Sequence, residues 1–231
     1  MDDMEPHIKD DDGKMSDIEF IPKTTPSEFE YYTRQTAFFS VHLLELCDQL
    51  KIGLEVLSDF NYSKKKQYSR AEHLTYNLEN LIIRLTSLND RTLQLINATY
   101  HLGIDEKDVK ERVIMNNIKV SRTAITKSYR TFKNTLQNFI GDRNTIVHRH
   151  SFIDKELKQL QIFYNLSLTN LYKDQINELD GLKTVRQRVL TEYLKKIKAE
   201  FSETINACFL ELSSVLDDCL IQYSIIRNKL K

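Results

Sequence analysis

Helix breakers are scarce in this chain. Its three prolines, Pro6, Pro22 and Pro26, all fall within the first 26 residues, so nothing from Ser27 to Lys231 carries the residue that most strongly interrupts a helix. Glycines number five, too few for a loop-rich or glycine-rich phosphate-binding fold. No apolar run approaches the length that a membrane span requires, and the N-terminus is acidic where a secretory leader would be basic and then apolar. A cytoplasmic protein without a membrane segment is therefore expected. The three cysteines, Cys47, Cys208 and Cys219, are odd in number, widely spaced and set among apolar neighbours at helical intervals, which predicts reduced packing residues. No Cys pair stands at two-residue spacing and His148 with His150 lacks a third ligand nearby, so no metal and no cofactor is expected.

What is present is helical periodicity. Ser27 is a plausible N-cap for a helix running to about Leu57. A second helix, from about Ser69 to Tyr100, carries Leu74, Leu78, Leu81, Ile82, Leu85 and Leu88 at 3.6-residue spacing. Asn61 to Tyr68 reads as a loop, and between Asp105 and Val120 the pattern weakens. From Ser121 to Ile140 it returns, with Ile125, Tyr129, Phe132, Leu136, Phe139 and Ile140 inside an arc of about 100°. Further helices are expected over about 154–179 and 182–230, the last with a possible break near Phe201 and Ser202. Gly103, Gly141 and Gly181 stand where helix C-termini are predicted. The fold class that follows is all-α: a bundle of about five to seven antiparallel helices over residues 26–231 as one domain, preceded by a flexible acidic tail at 1–25.

A formal net charge of zero hides an asymmetry. Residues 1–25 hold eight acids against three lysines, a net of −5, which leaves +5 for the remainder. Residues 119–150 carry Lys119, Arg122, Lys127, Arg130, Lys133, Arg143 and Arg149 against the single acid Asp142, a local +6. One-signed stretches are commonly solvated faces, but they are also what a polyanion surface needs.

Inside that stretch lies GDRNTIVHRH, residues 141–150. Gly141 could close one helix and Asp142 cap the next, placing Arg143 and Asn144 in a first turn and His148 in a second. Asn144 and His148, four apart, would share a face, with Arg143 at the edge of a sector of about 140°. Free N–H groups and the positive helix end would attract a phosphate and favour a neutral imidazole.

Arg143-Asn144, three intervening residues and His148, within an all-α chain, resemble the signature of HEPN domains. The resemblance implies a helical bundle acting as a homodimer with two motif copies facing each other, and in many members metal-independent endoribonuclease activity in toxin, phage-defence or RNA-processing settings. It implies RNA as partner, with an antitoxin or regulatory protein as a further one, and catalytic duty for Arg143, Asn144 and His148. Asp142, Arg149 and His150 would support them, and Arg122, Arg130 and Lys133 would contact RNA phosphates. His150 also meets the looser motif spacing. It stands where HEPN toxins silenced by a nucleotidyltransferase commonly carry a modified Tyr, so that route of control is not implied. Two other classes stay open: a helical RNA- or nucleotide-binding module without turnover, and a partner-binding scaffold.

Overall fold

The computed structural model describes residues 4–7, 19–22, 25–60, 68–152, 154–165 and 176–231. Within the acidic N-terminal segment, strands β1 (Met4–His7) and β2 (Glu19–Pro22) pair antiparallel, with Met4 opposite Pro22. The rest of the described chain is an all-α bundle of seven helices: α1 (Glu28–Val56), α2 (Arg70–Thr99), α3 (Glu111–Met115), α4 (Ile118–Ser121), α5 (Ile125–His148), α6 (Lys155–Asn165) and α7 (Ile176–Leu230).

The two leading helices start where their capping residues dictate. Ser27 and Ser69 each accept a hydrogen bond from the backbone N–H three residues on, and Glu30 and Glu72 reach back to the cap amides. Those amide contacts hold both carboxyls below the ordinary carboxylate range. The α1–α2 turn is clipped by buried Arg70, whose Nη2 donates to the Leu57 carbonyl at 2.5 Å and so satisfies a helix end that would otherwise be orphaned. The expected loop at 61–68 lies, apart from Tyr68, outside the described residues.

Cross-links at successive levels set the directions. Tyr32 donates to the Thr99 carbonyl at 2.9 Å, so α1 and α2 run antiparallel. Tyr129 on α5 donates to Asn89 on α2 at 2.7 Å, and Tyr100 pairs with Thr123, so α5 descends beside an ascending α2. On α7, Asp218 meets Ser128, Cys208 meets Thr135 and Phe201 packs on Phe139, which makes α7 antiparallel to α5. The stripes Leu74, Leu78, Leu81, Ile82, Leu85 of α2 and Ile125, Tyr129, Phe132, Leu136 of α5 are buried in one core. At roughly 1.5–3 kcal/mol for each fully buried large apolar side chain, this burial outweighs local propensity in deciding where helices persist.

It decides several boundaries against the sequence expectation. Gly141 does not end a helix: α5 runs through it to His148, because Phe139 and Ile146 both pack on the core on either side of it. Asp142 therefore caps nothing. Gly181 likewise lies inside α7, which also passes Phe201 and Ser202 without a break, Phe201 being buried against Phe139. Of the helix expected over 154–179, residues 155–165 form α6, 166–175 lie outside the described residues, and 176 onward belongs to α7. The strong helix begins at Ile125 rather than Ser121, and the weakly patterned stretch before it holds a short 3-10 turn, α3 and α4. Gly103 behaves as expected, following α2 with φ 68°, a value that disfavours any residue with a Cβ. Cys208 and Cys219 are buried, Cys47 is half-buried, and all three are free thiols. Burial pushes the thiols up, Cys219 to about 12.

Candidate functional site

The polar knot occupies the last two turns of α5 and the chain just beyond. The helix stops at His148; the amides of Arg149 and His150 donate to the Thr145 carbonyl at 2.9 and 3.1 Å, and Arg149 leaves helical geometry with φ −131°. Two residues later the Phe152 amide donates to Glu79 of α2 at 2.7 Å, fastening the exit. The knot is thus held at both ends, by the core contact of Ile146 and by Glu79.

This placement reverses one expectation. The knot sits at a helix C-terminus, the negative end of the dipole with unpaired carbonyls, so the argument for phosphate affinity and a neutral imidazole from a helix N-terminus no longer applies. Anion affinity here has to come from side chains. Asn144 and His148 are exposed and, four residues apart, lie about 40° apart around the helix. Arg143 is half-buried; its Nη1 donates to Asn144 Oδ1 at 3.3 Å. It stands about 140° around the helix from His148 and ~7.5 Å along the axis. In one chain, then, the guanidinium and carboxamide meet while His148 faces solvent with no hydrogen bond or ion pair to any described residue.

The supporting residues divide in the same way. Asp142 is half-buried beside the bundle, and burial raises its carboxyl above the ordinary range. Arg149 and His150 are exposed, and His150 donates through Nδ1–H to the Ser151 carbonyl at 3.0 Å. Of the three cations expected on RNA, only Arg130 is both exposed and on α5. Arg122 is the C-cap of α4 and lies outside α5. Lys133 is already paired with Glu111 at 2.6 Å. Two participants escaped the sequence pattern, Glu111 as the partner of Lys133 and Arg112 beside Arg130 in one cleft. Both come from α3, where weak periodicity gave no face to place them on. Among the described residues no group of three or more His, Cys, Asp or Glu could hold a metal, and no helix is long and apolar enough to cross a membrane.

The all-α bundle thus carries Arg, Asn and His at the C-terminal end of a core helix. The Cthe2314-like HEPN family matches residues 55–219, well over half of the chain, and the match contains α2 through most of α7 and the whole knot. The chain belongs to the HEPN family. Membership places this HEPN domain among helical modules that are RNase-like or bind nucleotides, and that often bind RNA or dimerise. No curated protein and no solved structure matches the chain.

Proposed function

We propose that this HEPN protein is a metal-independent endoribonuclease that works as a homodimer. The observation that carries the reading is the exposed pair Asn144 and His148, with Arg143 hydrogen-bonded to Asn144, at the end of a core helix of a HEPN bundle. A single copy holds Arg143 and His148 on different sides of α5. Two copies meeting at this end would offer each histidine a guanidinium from across the contact.

The chemistry suits those groups. The 2′-OH of a ribose attacks the adjacent phosphorus, a P–O bond forms to it, and the P–O5′ bond breaks. The hydroxyl proton goes to a base and the leaving oxygen takes one from an acid. His148 serves as proton donor or acceptor, Arg143 offsets the added negative charge in the transition state, and Asn144 holds the phosphate or orients the imidazole. The products are a 2′,3′-cyclic phosphate and a 5′-hydroxyl, and DNA, lacking the nucleophile, resists. A toxin, defence or RNA-processing setting, with an antitoxin or regulatory partner, fits such an activity.

A second reading draws on the helix polarity. A knot at the negative end of a helix lacks the amide cradle that would fix a scissile phosphate in line beside His148, an arrangement in which side chains hold RNA or a nucleotide without turnover. Incubation of RNA with the protein in chelator, beside Arg143→Ala and His148→Ala, separates the two. The nuclease reading expects cleavage lost in both variants. Intact RNA that nevertheless binds supports the module.

A further inference from the structure

We propose that the cleft where α3, α4 and α5 meet is a second phosphate-binding site, which anchors the backbone of a single-stranded RNA whose other end reaches the knot. The inference rests on the RNA reading above but not on turnover. The cleft has a volume of roughly 480 Å3, within the range of small-ligand sites, and takes Arg112 from α3, Arg130 from α5, and the polar side chains Asn116, Ser121 and Thr126. Both arginines are exposed, and neither guanidinium has an ion pair or hydrogen bond to any described residue. Glu111 is the one carboxylate in the lining, and Lys133 occupies it at 2.6 Å. The cleft therefore presents two open guanidinium forks with hydroxyl and carboxamide donors around them, a set matched to a phosphate diester.

Its position relative to the knot points to a chain molecule rather than a lone ion. Arg130 and His148 are separated by five whole helical turns, hence share one face of α5 about 27 Å apart. The face between them carries Asn134, Gln137, Gly141 and Asn144, all exposed. Asp142, the only acid of α5, is rotated about 120° off it. A strand laid along this face meets amides and no acid of α5 over about 27 Å. Such contacts position a strand without reading its sequence.

The test uses full-length His148→Ala protein, expected not to cut, with 5′-labelled single-stranded RNAs of 4 and 12 nucleotides and fluorescence anisotropy at graded KCl. The 12-mer is expected to bind more tightly than the 4-mer. Adding R112Q/R130Q should weaken the 12-mer at least tenfold, remove most of its advantage over the 4-mer, and make the log–log salt slope shallower by about 1.4, two contacts at roughly 0.7 each. R112K/R130K should keep most of that slope, showing that charge and not misfolding is responsible. Unchanged 12-mer affinity and slope in R112Q/R130Q would overturn the site. So would displacement of the 12-mer by AMP at matched phosphate concentration, which would mean a free-nucleotide pocket, or by polyglutamate, which would mean an acidic protein partner. If the parent never cuts RNA yet shows this length dependence, the nuclease reading fails and the cleft stands. Cleavage with no length dependence does the reverse.

Discussion

Glu79 on α2 accepts the backbone amide of Phe152 at 2.7 Å, and this one charged hydrogen bond ties the segment leaving the knot to the core of the bundle. A hydrogen bond to a charged group contributes roughly 1.5–3 kcal/mol. Glu79→Ala should therefore lower stability in urea unfolding by about 2 kcal/mol and Glu79→Gln by less. RNA cleavage by Glu79→Ala should fall with kcat rather than KM, since the groups are loosened and not removed. A urea midpoint equal to the parent's would show that Glu79 does not hold the exit.

Gly141 offers a sharper check on the helix boundary. A Cβ built there meets no atom within 4 Å, and the backbone is helical, so the glycine serves no packing purpose in this structure. Gly141→Ala should raise stability by about 0.5–1 kcal/mol through lower unfolded-chain entropy. If the helix instead ended at Gly141 in a left-handed turn, the same substitution would destabilise. Thermal unfolding decides between the two signs.

That boundary is also where the sequence was least legible. The starts of α1 and α2 were readable because Ser27 and Ser69 each pair with a glutamate three residues on, a local device. The core faces of α2 and α5 were readable because their apolar spacing is regular. Gly141 carried a local signal for a stop, and Asp142 one for a start, but the packing of Phe139 and Ile146 against distant helices overrode both. The charge environment was legible only in part: counting residues 119–150 cannot reveal that Glu111, outside the window, neutralises Lys133. Which residues the knot contains was plain from spacing; the end of the helix it occupies was not.

Two buried tyrosines should respond oppositely to loss of the hydroxyl. Tyr129 donates to Asn89 across α5 and α2, so Tyr129→Phe should cost about 1 kcal/mol. The Tyr193 hydroxyl is buried with no partner, so Tyr193→Phe should be neutral or slightly stabilising. Equal losses in chemical denaturation would mean that the Tyr193 hydroxyl has a hydrogen-bond partner after all.

Asp142 gives a pH signature. Its folded pKa is raised by burial, so its charged form weakens the fold; the relative stability is present below the unfolded value near 3.9 and lost as pH rises through the folded one. Asp142→Asn should unfold at higher urea than the parent at pH 7, and the gap should close as pH falls toward 4. A gap that widens on acidification would contradict the sign.

In the proposed function, Arg143, Asn144 and His148 of two copies form one site that cuts RNA without metal. Its most direct measurement is digestion of single-stranded RNA in excess chelator at neutral pH, with analysis of the product ends. Expected are 2′,3′-cyclic phosphate and 5′-hydroxyl ends, and rates at least 10²-fold lower for both His148→Ala and Arg143→Ala in proteins that still fold. RNA left intact by the protein, or cut equally well by parent and variants, would contradict it.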